Sequence, residues 1–180
     1  MHMKKLDTAF RRLYCSSVKA DGDFLDFSGN LYFSPEVQGL KVFEQHLEIN
    51  RLQHITAVAT VSVEVCKKLG LDCKSAARGA VLHDLFYYDW RDGIDGKWHR
   101  LHGYRHPRFS LLNARELCSD LSKKEENIIL RHMWPLTPVP PKYAEGFVVS
   151  LADKYCATLE VLYSIGLIKC ALDSKEYETV

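Results

Sequence analysis

A histidine and an aspartate stand side by side, His83-Asp84, in the apolar run AVLHDLFYYDW. A carboxylate buried in such a run is costly unless something pairs with it. Alone, the dipeptide is satisfied by an exposed turn or a local capping bond. The rest of the chain supplies company for it. His54 is flanked by Ile55, Val58 and Val61, Asp153 sits in VVSLADKYCATLE, His106 opens HPRFSLLNA, and His132 lies in IILRHMWP. Each of these has a bland reading as a core or capping residue. Together, imidazoles and carboxylates from successive segments form a natural ligand set for a divalent transition ion. Helical proteins build internal metal sites in this way, one or two ligands to a helix.

Cations stand next to several of these residues: Arg131 before His132, Lys154 after Asp153, and Arg105 before His106. A guanidinium fork or an ammonium suits a phosphate group. Neighbours on a helix point about 100° apart, so some of these side chains must face away and serve as solvated charges. Tyr87, Tyr88, Asp89 and Trp90 follow the His-Asp pair and could stack on a base or fill the core.

The elements that must position these groups read as helices. Ser34-Pro35-Glu36 is an N-cap, a first-turn proline and a first-turn acid, predicting a helix that carries Val37, Leu40, Val42, Phe43 and Leu47. A run from about Arg51 to Leu69 stops at Gly70; its β-branched residues would suit a strand, but its length favours a helix. Asp72 caps CKSAARGAVLHDLFYYDW, which should run as a helix up to the loop RDGIDGKW. Pro107 marks the first turn of PRFSLLNARELCSDL, with His106 at or near its N-cap. Ser122 and Glu125 form a capping box, Pro135 ends that helix, and TPVPP is a stiff connection. Residues 142–168 read as one long helix, or two with a break near Gly146 or Gly166. AFRRLYCSSV is expected to be helical and DGDFLDFSGN a loop. The expectation is an all-α protein, residues 1–180 forming one domain with a core of about 45–165 and an N-terminal extension.

Composition excludes several function classes. Net charge is +1 over 180 residues, too weak a field to favour nucleic acid or an anionic membrane. No apolar stretch approaches the ~18 residues needed to span a bilayer. MHMKKLDTAFRR has basic residues with no apolar stretch behind them, unlike a secretory leader, so the expected location is cytoplasmic. Six cysteines (15, 66, 73, 118, 156 and 170) include no C-x-x-C pair, which fits buried free thiols better than a zinc ribbon or a disulfide framework.

The order His54, His83-Asp84, Asp153 resembles the H…HD…D signature of the HD superfamily of metal-dependent phosphohydrolases. With His106 and His132 it is similar to that superfamily's six-ligand, two-metal branch, H…HD…H…H…D. The resemblance spans roughly residues 45–165 and implies a compact orthogonal helical bundle. It also implies that His54, His83, Asp84 and Asp153 hold one metal and His106 and His132 a second, with Asp84 bridging. Two such ions lower the pKa of a shared water and clamp a phosphoryl group. Iron, manganese, cobalt or zinc suits nitrogen-rich ligands better than magnesium. Either His102 or His106 could fill the third histidine position; the His-Pro context favours His106, leaving His99 and His102 as loop residues near the entrance. His2 and His46 read as surface or packing positions. Asp84, Arg131 and Lys154 are the candidate catalytic residues.

On this reading the chain hydrolyses a small phosphate ester or a nucleotide. The GYP word that accompanies the cyclic-dinucleotide branch is missing. Two alternatives stay open: a mixed-valent di-iron oxygenase, which uses the same six ligands, and a non-catalytic metal- or nucleotide-binding module. Oligomeric state cannot be read from the sequence.

Overall fold

The structure is a computed structural model that describes residues 2–15, 23–46, 48–89 and 102–168. Helix α1 (His2–Phe10) runs into a π-helical turn, Arg11–Cys15. Two short helices, α2 (Phe24–Ser28) and α3 (Pro35–Gln38), precede an antiparallel ribbon of β1 (Glu44–His46) and β2 (Ile49–Asn50). The long elements follow: α4 (Arg51–Leu69), α5 (Cys73–Leu82), α6 (His102–Leu117), α7 (Lys123–Arg131) and α8 (Ala144–Ser164). Apart from that ribbon the described residues form an all-α fold. None of its helices is long and apolar enough to cross a membrane.

Local chemistry sets most helix ends where the sequence put them. Asp72 accepts from the Ser75 amide at 3.0 Å, and Ser122 and Glu125 form the expected reciprocal box. Gly70, at φ 66°, closes α4 in the left-handed region where glycine is favoured. A further box, Asn50 with Gln53, opens α4 one residue before its first buried turn.

Four expectations need correction. The helix opened by Ser34 ends at Gln38, and a 3-10 turn leads to the ribbon. Phe43 there adopts an extended conformation and its carbonyl accepts from the Arg51 amide at 2.8 Å, so tertiary pairing overrides the helical spacing. DGDFLDFSGN contains α2 rather than only a loop, because burying Phe24 against the core rewards a helical turn there. The His-Asp helix stops at Leu82, placing His83 at its C-cap and Asp84 in the following turn. Finally, α6 begins by His102, so Pro107 lies inside it and both His102 and His106 are helical. Gly103 explains this last case. A Cβ there would lie 2.7 Å from Leu136 Cδ2 and 3.3 Å from Met133 Cε. Close packing of α6 on the connection after α7 therefore outweighs the local cost of the proline and the glycine.

Helix α4 is buried on every side in its first half, from Arg51 to Ala59. It packs between α5 and α8, with α7 laid across α5 and α8 and α6 against α7. Gly79 lets α5 and α7 approach so closely that a Cβ would meet Ile128 Cγ2 at 2.6 Å. Ile55, Val58, Val81, Ile128, Val149 and Leu159 are fully buried where these helices meet. Each such side chain stabilises the bundle by roughly 1.5–3 kcal/mol. That packing lets ionisable groups be held inside.

Candidate metal centre

Helix ends aim the ligands. Because α5 stops at Leu82, the ring of His83 turns back and its Nδ1 donates to the Ala80 carbonyl at 2.6 Å. His132, at the C-cap of α7, does the same to Ile129 at 2.8 Å. His106 donates from Nδ1 to the His102 carbonyl one turn back in α6, at 3.0 Å. A carbonyl only accepts, so each bond puts the ring proton on Nδ1 and leaves Nε2, in the neutral ring, as a bare lone pair. His54 is held differently: its Nδ1 donates to the Glu160 carboxylate at 2.7 Å and its Nε2 to Asp153 Oδ1 at 3.2 Å, and although burial opposes it these two carboxylates hold the ring above the ordinary histidine range.

The four Nε2 atoms and two carboxylates converge. Nε2 of His106 and Nε2 of His132 are 2.8 Å apart. Asp84 Oδ1 lies 3.2 Å from the first and 3.6 Å from the second. His83 Nε2 is 3.7 Å from Asp84 Oδ2 and 3.9 Å from Asp153 Oδ1, and His54 Nε2 is 3.2 Å from Asp153 Oδ1. His83 Nε2 and Asp84 Oδ1 are buried without a hydrogen-bond partner. Donor atoms fall into overlapping groups that could hold an ion: His54, His83 and Asp84; His83, His132 and Asp153; Asp84, His106 and His132.

These atoms fit a divalent cation. Burial holds the His83 and His132 rings below the ordinary histidine range, so both are neutral near pH 7. Burial opposes ionisation of Asp153, but the His54 hydrogen bond and the Lys154 ammonium prevail, keeping its carboxyl well below its usual range. Asp84 is also held low: burial opposes it, and the imidazoles of His83, His106 and His132 outweigh burial. Buried carboxylates beside facing nitrogen lone pairs repel one another unless a cation lies among them. An uncompensated buried charge costs several kcal/mol, more than packing here can absorb unnoticed. Imidazole nitrogen with carboxylate oxygen is the donor chemistry of iron, manganese, cobalt or zinc.

A cavity of about 200 Å³ opens onto Asp84, His106, His132 and Asp153, with His102 and Gln45 beside them and Met133 and Ala157 as apolar wall. His54 and His83 lie fully buried behind that surface. Lys154 is tied inward, donating to the His132 carbonyl at 2.7 Å and to Asp153 Oδ2 at 3.0 Å. Arg131, on the last turn of α7, is half-buried and is not part of the cavity wall. Arg105 lies over the Phe109 ring at 5.7 Å. His102 is not a loop residue: its ring stacks on His106 with centroids 4.5 Å apart, and Tyr88 Oη is 3.2 Å from its Nδ1. Burial pushes His102 down to about 4. Tyr87 is exposed. Trp90 and His99 lie outside the described residues, as do the side chains of His2 and His46. Cys66, Cys73, Cys118 and Cys156 are free thiols, and burial raises Cys66 to about 12.

Three supporting residues escaped the sequence reading. Arg51, fully buried, donates to the Phe86 and Tyr88 carbonyls at 2.6 and 3.2 Å, and its guanidinium lies 3.6 Å from the Phe86 ring centroid. It fixes the segment that follows the His-Asp turn. Gln45 accepts from Arg51 Nε at 3.2 Å and donates to Asp84 Oδ2 at 3.1 Å, relaying that order to the carboxylate. No local signal marked either residue. Glu160 did leave a signal: an acid two helical turns beyond Asp153 in an apolar helix shares its face.

A helical bundle with buried imidazoles and carboxylates aimed at one cavity is the architecture of a helical protein that could hold a metal ion inside. The model of one family, described as HD domain, matches residues 51–158, and the chain belongs to that family. Most of its members are metal-dependent hydrolases, and they act on phosphorylated substrates. No curated protein and no solved structure gave a significant match.

Proposed function

We propose that the chain is a metal-dependent phosphohydrolase acting on a small phosphate ester or a nucleotide. In this reading His54, His83, Asp84 and Asp153 hold one divalent transition ion, and His106 and His132 hold a second, with Asp84 shared. Such a pair, when bound, supplies an activated water and a clamp for phosphoryl oxygens. The observation that carries the proposal is the set of Nε2 atoms, left bare by Nδ1 bonds, that meets two ionised carboxylates at a cavity wall. His106 rather than His102 is supported as the ligand, because His106 joins the group with Asp84 and His132 whereas His102 joins none.

The protein's own contribution is positioning and charge. Lys154 holds Asp153 and the His132 carbonyl, so its ammonium stands beside two ligands and lowers the cost of their burial. We assign to Lys154 the stabilisation of a phosphate entering the cavity, and to Arg131, which lies off the cavity wall, at most a longer-range share of it. At about 200 Å³ the cavity suits a phosphoryl group and its immediate ester better than a whole drug-sized ligand. The larger part of a nucleotide would lie outside it.

The test is metal analysis on protein purified without chelator, followed by a screen of phosphate esters and nucleotides with and without added Mn²⁺, Fe²⁺, Co²⁺ or Zn²⁺. Phosphate release that chelator abolishes and metal restores is the expected result. Absence of bound metal, or consumption of dioxygen without phosphate release, overturns it.

A further inference from the structure

His54 differs from the other three rings. The acceptors for His83, His106 and His132 are backbone carbonyls, but the acceptor for His54 is a side chain. Glu160 Oε1 takes two hydrogen bonds, from His54 Nδ1 at 2.7 Å and from Tyr14 Oη at 2.5 Å. Glu160 is fully buried and Tyr14 is 2% exposed, so water cannot substitute for either bond. Both residues lie outside the family match at residues 51–158. Tyr14 comes from the π-helical turn after α1, which is itself fastened to the bundle. Phe10 stacks on Tyr14 and on Tyr163 with centroids 4.7 and 4.5 Å apart, and Arg12 pairs with Glu64 of α4 at 3.0 Å.

We propose that Glu160 is the positioning residue for His54, that Tyr14 tethers it, and that the N-terminal segment thereby governs metal loading. The inference rests on the assignment of His54 as a ligand. A carboxylate on Nδ1 fixes the tautomer and the ring plane, and it makes Nε2 a stronger donor. Tyr14 holds the same carboxylate oxygen that accepts from His54, so the site's geometry depends on whether residues 2–15 are docked. By linkage the dependence runs both ways: an ion at His54 favours docking of the segment that helps to hold it.

Titration of the metal-free 180-residue chain with Co²⁺, followed by visible absorption and by metal count, tests this. His54→Ala identifies the binding step that uses His54 by removing it. Glu160→Ala should weaken that same step by about 10–100-fold. Glu160→Gln, which keeps an oxygen for both donors, should restore it to within a few-fold, and any other step should be unchanged in both variants. Tyr14→Phe should weaken it by about two- to tenfold, the loss of one hydrogen bond. If Glu160→Ala yields no folded protein, Tyr14→Phe decides alone, and unchanged affinity there overturns the proposal. Wild-type binding in Glu160→Ala overturns it, as does an equal loss in Glu160→Ala and Glu160→Gln across all steps. If His54→Ala itself binds Co²⁺ like the wild type, the ligand assignment fails and takes this inference with it.

Discussion

Two clusters of charge, each with buried carboxylates at its centre, differ in one respect. Where α5, α7 and α8 meet, Arg78 bonds Glu125 at 2.6 Å and Asp120 at 2.8 Å, while Lys124 bonds Asp72 at 3.1 Å and Glu145 at 3.0 Å. Glu125 also closes the capping box of α7, and Glu145 accepts from the Asp72 amide at 3.1 Å. No side-chain atom of these residues is buried without a hydrogen-bond partner. In the histidine cluster, His83 Nε2 and Asp84 Oδ1 are. The first cluster balances its charges internally and does structural work. The second leaves buried donor atoms that could hold a cation. Burial of charge alone therefore does not mark a site; burial with a common, unmet direction does.

The sharpest way to break the contrast is Asp84→Ala. It removes the carboxylate shared by two of the three donor groups and should abolish phosphate release and lower the bound metal. Far-UV helicity should stay near wild type, since Asp84 sits in a turn after α5. Activity with metal retained would place the chemistry elsewhere. Arg78→Ala should do the opposite. It strands Glu125, which is 3% exposed, and should cost about 3–5 kcal/mol in chemical unfolding while leaving metal stoichiometry unchanged.

A narrower cut separates two stacked rings. His106→Ala should reduce bound metal from about two ions towards one. His102→Ala should keep both ions, because the His102 backbone carbonyl that orients His106 survives the substitution. Its effect should be confined to the KM of a substrate entering past His102. Metal counts with the roles reversed would exchange the two assignments.

The smallest expected effect concerns acid. Burial opposes ionisation of Glu145, but backbone amides and Lys124 outweigh it and hold its carboxyl below the usual value. A carboxyl lowered on folding contributes stability that is full above its unfolded value, ~4.3, and is lost as pH falls through the folded one. Unfolding free energy should therefore drop below about pH 4.5, and Glu145→Gln should shrink that drop slightly. An unchanged pH profile in the variant would remove Glu145 from the account.

The six convergent residues were legible because most stand as polar interruptions in apolar stretches of sequence, in an order that matches a known signature. The elements were less so. In LHGYRHPRF the local cost of Pro107 and Gly103 argued against a helix, and the gain from packing α6 against Leu136 is invisible in the chain. Val42 and Phe43 satisfied a helical period although the ribbon claims Phe43 for pairing with Arg51. Gln45 and Arg51 act through hydrogen bonds to groups 39 and 35 residues away, which no local pattern encodes.

The carbonyls that orient three of the histidines have a consequence for how the protein tolerates change. A peptide carbonyl cannot be mutated away, so substitutions at Ala80, His102 or Ile129 leave the acceptors for His83, His106 and His132 in place so long as the helix ends hold. Randomising His102 within helix-compatible residues should yield a library rich in metal-binding clones, and at the fully buried Ala80 and Ile129 the same holds for side chains of similar size and polarity. The same exercise at Glu160 should yield almost none. Three quarters of the histidine support is thus insulated from sequence drift, and the remaining quarter is where this chain can lose, or tune, its metal.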